Sequence, residues 1–188
     1  AGKNVLHYTL ELADTVVGNR YDSCISGVPL SDLFGNKRRV FESIQDVEGQ
    51  LIIKEYPTKS ASTETIKNHL ERLKKRGIEP DMVIVDYEEL RAIAQIYKCP
   101  VWTASQTNRS GLNAEVITME AISEAFNKCF VADFICSLSR TVQDKQANKG
   151  RIFVAKNRNG PDGQVFPAFV DWSNVSIKIL KREEGESI

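Results

Sequence analysis

Two cations stand two residues apart just before a predicted turn, in the segment Lys156-Asn157-Arg158-Asn159-Gly160-Pro161-Asp162-Gly163. Because alternate residues of a β-strand share a face, Lys156 and Arg158 are predicted to project together, while Asn157 points the other way. The glycines and the proline after them predict a hairpin. Cations placed in this way can neutralise a phosphate held by another molecule. The alternative is an ordinary polar hairpin with two solvated cations.

Two acidic residues follow predicted strands, at the strand ends where open α/β sheets bind their ligands. Asp86 comes after four apolar residues, a pattern typical of the acid that holds Mg²⁺ beside nucleotide phosphates. Glu11 has the equivalent place after the first strand and is a candidate general base toward a water that attacks a phosphate. Each acid taken alone is also explained as a turn former or as a surface acid at a helix start.

Polar residues follow a third predicted strand, at Gln106 and in the loop beyond it. The amide of Gln106 can sense a phosphate and would lie beside Glu11 and Asp86 if the three strands are neighbours. Asn108 and Arg109 belong to a basic, glycine-containing loop that suits either a nucleic-acid contact or a flexible turn. A single arginine contacts phosphates without sequence specificity, so several subunits would be needed to hold a strand firmly.

The composition is that of a globular protein of 188 residues, with 41% apolar and 27% charged residues. Its 25 basic and 25 acidic residues cancel, which excludes binding of nucleic acid through global charge alone. The four cysteines are far apart and are predicted to be reduced, with Cys99 and Cys136 as core residues. No apolar stretch approaches the roughly 20 residues that span a bilayer, so a cytoplasmic protein without membrane contact is expected.

Strands and helices alternate along the first two thirds of the chain. Strands are predicted at 4–10, 51–53, 81–86 and 100–105, and helices at 13–26, 31–47, 62–76 and 88–98. The helix before Gly77 is the clearest, and the run at 51–53 is predicted to be a buried strand. This alternation predicts an α/β fold with a mostly parallel central sheet flanked by helices. After a helix near 118–128, runs at 133–138, 150–155, 164–170 and 175–180 predict antiparallel strands at the C-terminal edge of the sheet.

Five segments, taken in chain order, resemble the motor domain of DnaB-type replicative DNA helicases, especially those of phages. They lie at 8–12, 83–87, 103–109, 132–133 and 155–161, and the last contains the rather specific sequence KNRNGP. The resemblance covers nearly the whole chain and implies a RecA-like P-loop NTPase fold over 1–180, followed by a polar tail at 181–188. It also implies a ring of six subunits in which hydrolysis of ATP, with Mg²⁺, at subunit interfaces drives movement along single-stranded DNA and duplex unwinding.

The same resemblance implies roles for individual residues. Glu11 corresponds to the catalytic glutamate, Asp86 to the magnesium ligand, and Gln106 to the sensor that couples nucleotide to the DNA-binding loops. Lys156 and Arg158 correspond to the cationic fingers that reach the γ-phosphate bound to a neighbouring subunit, and Arg158 is the arginine finger proper. Primase and helicase-loader proteins are candidate partners of such a motor.

The chain departs from the family pattern in two places. No GxxxxGK[ST] segment occurs in it, so the phosphate-binding loop is expected upstream of Ala1, and hydrolysis by this chain alone is not expected. Tyr87 also runs directly into Glu88, where the family has a longer loop. Two alternatives therefore stay open: a RecA-like recombinase, and a non-catalytic interaction or DNA-binding module of the same fold.

Overall fold

The computed structural model describes residues 2–57, 60–85, 91–108, 111, 113–121 and 126–181. The chain divides into two compact units, Ala1–Ala104 and Ser105–Ile188. The first unit contains a parallel sheet and the second an antiparallel sheet. No helix within the described ranges is long and apolar enough to cross a membrane.

Strands and helices alternate in the first unit, as the sequence predicts. The elements are β1 (Lys3–Thr9), α1 (Asp14–Ser26), α2 (Lys37–Gln45), β2 (Gly49–Glu55), α3 (Thr63–Lys74), β3 (Met82–Val85), α4 (Arg91–Tyr97) and β4 (Val101–Trp102). The helix predicted at 31–47 is divided, because two short 3₁₀ turns, Leu30–Asp32 and Phe34–Asn36, precede α2. All described strand pairs of this sheet are parallel, in the order β2-β1-β3-β4.

Helices cover both faces of the parallel sheet, because neighbouring residues of β1 point in opposite directions. Tyr8 is fully buried, and its hydroxyl is hydrogen-bonded to Nδ1 of His69 on α3 at 2.9 Å. His7 points the other way and is hydrogen-bonded through Nδ1 to the Tyr21 hydroxyl on α1 at 3.0 Å. The core on the α3 side contains Leu6, Tyr8, Leu10, Ile66, Leu70, Leu73, Val83, Val85 and Ile93.

The ends of two helices are fixed by different devices. Ser62 caps α3 in a capping box with Thr65, and Gly77 follows the helix in a left-handed conformation, as predicted. Asp14 is the first residue of α1 and does not cap it, because the N-cap position is taken by Ala13. The side chain of Glu55, at the end of β2, instead accepts a hydrogen bond from the Asp14 N–H at 3.0 Å.

The prediction of a buried strand at 51–53 is wrong in its burial. These residues belong to β2, which lies at the edge of the described sheet, and the Leu51 side chain is 40% exposed. An apolar run predicts a strand but does not reveal how many neighbours the strand has. Gly49, which begins β2, has a φ of 102°, and a Cβ there would overlap the backbone of Lys3 on β1.

The second unit is built around the antiparallel strands that the sequence predicts. Its elements are a 3₁₀ turn (Met119–Ala121), α5 (Phe126–Val131), β5 (Phe134–Ser139), α6 (Val142–Gln146), β6 (Lys149–Asn157), β7 (Val165–Asp171) and β8 (Ser176–Ile179). The strands pair in the order β5-β6-β7-β8. Cys99 of the first unit is buried as predicted, but Cys136 on β5 is exposed, because its position faces away from the covered side.

Asp144 joins α6 to β6 through a cluster of hydrogen bonds. Its Oδ2 accepts from the Thr141 N–H at 2.8 Å, from the Thr141 hydroxyl at 2.7 Å and from Nη1 of Arg151 at 2.7 Å. Burial alone would raise the pKa of Asp144, but these hydrogen bonds and the charge of Arg151 outweigh it and lower the pKa to about 2. The carboxylate therefore stabilises the folded state.

We expect Asp144→Asn to lower the free energy of unfolding at pH 6 by roughly 1–3 kcal/mol, because Arg151 and Thr141 lose a charged acceptor. The folded pKa lies below the unfolded one, so this stabilisation is present above about pH 4 to 5 and is lost as the pH falls toward about 2. Urea unfolding at pH 6 and pH 2 should show the difference between the two proteins shrinking. Equal differences at both pH values, or an equal effect of Asp162→Asn at an exposed carboxylate, would contradict this account.

Candidate active site

The carboxyl ends of β1 and β3 lie side by side. Tyr8 on β1 pairs with Val85, the last residue of β3, so Glu11 follows β1 at the edge of the sheet where β3 also ends. β4 is the next strand, with Trp102 opposite Ile84. The predicted neighbourhood of the three strands is therefore confirmed. Asp86 follows Val85 in the sequence and lies outside the described residues.

Gln106 is not at the end of a strand, because β4 ends at Trp102 and the strand predicted at 100–105 is shorter than expected. It is exposed and belongs to the second unit. The structure thus brings Glu11 to the shared edge of the first unit and leaves Gln106 outside that unit. The role of Gln106 as a sensor stays a prediction.

Thr9 holds the turn that carries Glu11. Its side chain is buried, and its hydroxyl donates to the Leu12 carbonyl at 2.8 Å and accepts from the Leu12 N–H at 3.2 Å. Glu11 lies within this closed turn with its side chain exposed, so water can reach its carboxylate. Sequence reasoning missed Thr9. The signal was a hydroxyl residue at the end of an apolar strand, next to a candidate catalytic acid.

We expect Thr9→Val to lower the free energy of unfolding by about 1–3 kcal/mol, because the Leu12 N–H and carbonyl lose their partner. Valine has nearly the same volume as threonine, so packing changes little. Urea unfolding checks this expectation, with Thr15→Val on the exposed side of α1 as the control, for which a change within about 0.5 kcal/mol is expected. The same unfolding midpoint in both variants would show that the hydroxyl does not hold the turn.

Lys156 and Arg158 both reach the C-terminal end of α5. Nζ of Lys156 donates to the carbonyls of Cys129, at 2.6 Å, and Phe130, at 3.4 Å. Nη2 of Arg158 donates to the same Phe130 carbonyl at 3.3 Å. The two side chains therefore lie on one side of the chain, as their spacing predicts. Cations are favourable at this position, since the carbonyls at a helix C-terminus carry partial negative charge.

Arg158 is also held by Asp133, which precedes β5. Nη1 of Arg158 lies 2.9 Å from Oδ1 of Asp133, and the Arg158 N–H donates to the Asp133 carbonyl at 2.9 Å. The Arg158 side chain remains 43% exposed, so solvent or a partner molecule can reach it. Asp133 is a second residue whose contact sequence reasoning missed.

The loop after Gln106 is fastened at its base. The Asn108 N–H donates to the Ala121 carbonyl at 2.8 Å, and Nδ2 of Asn108 donates to the Glu120 carbonyl at 3.3 Å. The Ser137 hydroxyl on β5 donates to the Ile117 carbonyl at 2.6 Å. Asn108 thus contacts the backbone of its own loop. Arg109 lies outside the described residues, and a DNA contact by either residue stays a prediction.

The chain is similar in sequence to a protein of Enterobacteria phage T4 named a DnaB-like replicative helicase, with 28% identity over 192 residues. That match takes in 85% of this chain and 40% of the phage protein. In fold, the chain is similar to a solved helicase ATPase domain, with a TM-score of 0.76 and 15% identity. The resemblance to DnaB-type replicative helicases is confirmed.

A second solved structure, of a DnaB-like replicative helicase described with its interactions with primase, has a TM-score of 0.77 and 15% identity to the chain. The two structural matches each cover 95% of this chain, together with 75% of the solved ATPase domain and 52% of the DnaB-like helicase. No protein-family model matches the chain. The predicted RecA-like α/β fold is confirmed, and the chain spans less than half the length of its DnaB-like phage relative.

The donor set at the edge shared by β1 and β3 fits a DnaB-type magnesium and nucleotide site. Mg²⁺ takes oxygen ligands and is usually bound through one or two carboxylates together with phosphates and water. Asp86, directly after β3 in the sequence, supplies a ligand of that kind. Within the described residues, no group of three His, Cys, Asp or Glu side chains could hold a metal ion by itself. Phosphate oxygens would have to complete the coordination.

Proposed function

We propose that the chain is the motor domain, over residues 1–180, of an ATP-dependent replicative DNA helicase. In this proposal ATP is hydrolysed between the subunits of a ring, and each site takes its acid from one subunit and its cations from the next. The observation that carries the proposal is the pair Lys156 and Arg158, held on one carbonyl while Arg158 stays accessible. Movement along single-stranded DNA and duplex unwinding would follow from this hydrolysis.

Glu11 and Asp86 have different tasks in the proposed reaction. Asp86 would hold Mg²⁺, which offsets the charge of the nucleotide phosphates when it is bound. Glu11 would orient a water molecule and accept its proton as the water attacks the γ-phosphate, for which an exposed carboxylate on a fixed turn is suited. The Thr9 hydroxyl would keep that carboxylate in place.

Lys156 and Arg158 would act on the nucleotide of a neighbouring subunit. Charge accumulates on the oxygens of the phosphoryl group during its transfer, and a guanidinium that meets them stabilises the transition state. Lysine and arginine side chains are ordinarily charged at neutral pH. A ring of identical subunits, which we propose to be six, would present an acid on one face and a cation pair on the other. Gln106 would report the state of the nucleotide to the loop that contains Asn108 and Arg109.

The neutral net charge of the chain favours an assembled form of this motor. With 25 basic and 25 acidic residues, one subunit has little overall attraction for DNA. Several loops that each contribute Asn108 and Arg109 would together hold a single strand through its phosphates. We expect such a motor to act in the cytoplasm. Because one similar structure is described with primase, primase is our candidate partner protein.

Two other functions remain as rivals within the proposal. A RecA-like recombinase would use the same fold to pair strands in a filament. A non-catalytic module would bind DNA or a partner without hydrolysis, and the lack of a GxxxxGK[ST] segment in this chain favours it. Nucleotide titration separates the second rival from the other functions, since a non-catalytic module has no need to bind ATP.

The deciding experiment uses an assembly whose subunits also carry a phosphate-binding loop. Electron microscopy on single-stranded DNA with a non-hydrolysable ATP analogue should show closed rings, and a forked duplex should be unwound only when ATP is hydrolysed. Helical filaments that exchange strands without unwinding would replace the proposal with the recombinase. Absence of nucleotide binding would replace it with the non-catalytic module.

A further inference from the structure

Asp133 contacts Arg158 at both ends of the residue. Its backbone carbonyl accepts the Arg158 N–H at 2.9 Å, and its side-chain Oδ1 lies 2.9 Å from Nη1 of the guanidinium. The Phe130 carbonyl takes Nη2 at 3.3 Å. Main chain and side chain of Arg158 are therefore fixed relative to the segment between α5 and β5. An ordinary exposed ion pair lacks the main-chain contact.

The guanidinium still has groups to offer a ligand. Among the described residues, these contacts use two of its five N–H groups. Because the guanidinium is planar, fixing Nη1 and Nη2 also sets the direction of the remaining N–H groups. Lys156 is fastened to the same carbonyl of Phe130, so the two cations share one support.

We propose that Asp133 is a positioning residue for Arg158, which holds the guanidinium in the orientation that meets a phosphate of the neighbouring subunit. This inference rests on the proposed function, in which Arg158 acts as the arginine finger. A long arginine side chain is restricted when it is ordered, and a carboxylate that orders it beforehand lowers that cost at the moment of reaction. Asp133 itself touches no nucleotide in this arrangement.

The segment that bears Asp133 also connects the two predicted functional regions of the second unit. It lies between α5 and β5, and β5 carries Ser137, which fastens the loop of Asn108 through the Ile117 carbonyl. β5 pairs with β6, where Ile135 faces Lys156, and the register shifts between Ile135 and Cys136. The proposed support of the cations is thus continuous with the support of the proposed DNA-binding loop.

Asp133→Asn tests the proposal, because the amide keeps the size and one acceptor oxygen but loses the charge. In an assembly that carries the phosphate-binding loop, we expect kcat for DNA-stimulated ATP hydrolysis to fall on the order of 10- to 100-fold, as for a misplaced catalytic group. The KM for ATP should change by less than about twofold, because binding of the nucleotide does not depend on orientation of the finger. Asp162→Asn, at an exposed carboxylate of the same hairpin, is the matched control and should leave both constants unchanged.

A double-mutant cycle shows whether Asp133 acts through Arg158. Asp133→Asn should have no further effect on kcat once Arg158→Ala is present. An unchanged kcat in the single variant, or an equal further loss in the double variant, would overturn the positioning role. Full activity of Arg158→Ala alone would instead overturn the proposed function, so the two failures are distinct.

A measurement on the unmodified chain does not depend on how well a variant folds. Nuclear magnetic resonance relaxation of the Arg158 Nε–H should report an ordered side chain, and Asp133→Asn should increase its motion. A side chain of Arg158 as mobile as that of the exposed Arg39 would overturn the proposal.

Discussion

Arg158→Ala is expected to lower DNA-stimulated ATP hydrolysis on the order of a thousandfold or more, while the affinity for nucleotide changes little. The reason is that the guanidinium stabilises charge that exists only in the transition state of phosphoryl transfer. The measurement is steady-state hydrolysis in an assembly that carries the phosphate-binding loop, with nucleotide affinity determined separately by titration. Unaltered turnover would remove Arg158 from the reaction.

Arg20→Ala, at an exposed arginine of α1, is the matched control and should retain full hydrolysis. Arg158→Lys separates charge from shape. Lysine keeps the positive charge but cannot repeat the planar contacts with Asp133 and the Phe130 carbonyl, so we expect most of the loss to remain. Full recovery by lysine would mean that charge alone is sufficient.

Glu11→Gln is expected to lower kcat by roughly 10²- to 10⁴-fold, because an amide cannot accept the proton of the attacking water. The exchange preserves size, and the turn held by Thr9 should form as before. Steady-state hydrolysis and nucleotide titration measure the two effects separately. Glu48→Gln, at another exposed glutamate, is the control for the loss of one surface charge. Equal kcat values in the two variants would exclude Glu11 as the base.

Mixing the two inactive variants tests whether the acid and the cation come from different subunits. Where a Glu11→Gln subunit supplies its cations to an Arg158→Ala subunit, the shared site contains both Glu11 and Arg158. Some hydrolysis should therefore return in mixed assemblies and be absent from either variant alone. If mixtures stay inactive under conditions where subunits exchange, the composite site is not formed in the proposed way.

Much of the fold could be predicted because the relevant information is local. Ile66, Leu70 and Leu73 lie at helical spacing, with Ser62 and Gly77 at the two ends, and these are the residues that bury and limit α3. The exposure of Leu51 could not be predicted in the same way. It depends on which strand lies at the edge of the sheet, and that is decided by the pairing of segments far apart in the sequence.

The candidate site shows the same division. The common side of Lys156 and Arg158 follows from the two-residue period of a strand, which the sequence displays. Their partners do not, because Asp133 and the Phe130 carbonyl are brought to them by the pairing of β5 with β6 and its register shift. The roles of Asp86 and Arg109 stay predictions, since both lie outside the described residues.

The chain has two histidines, and both serve to attach helices to the faces of β1. Burial, and then the charges of Arg72, Lys54 and Arg76, lower the pKa of His69, so its ring is neutral at physiological pH. With both imidazoles committed to packing, a carboxylate is left to carry any proton transfer. The acid limb of the rate profile should then fall near about pH 4, as for a glutamate, and not near about 6.5, as for an imidazole.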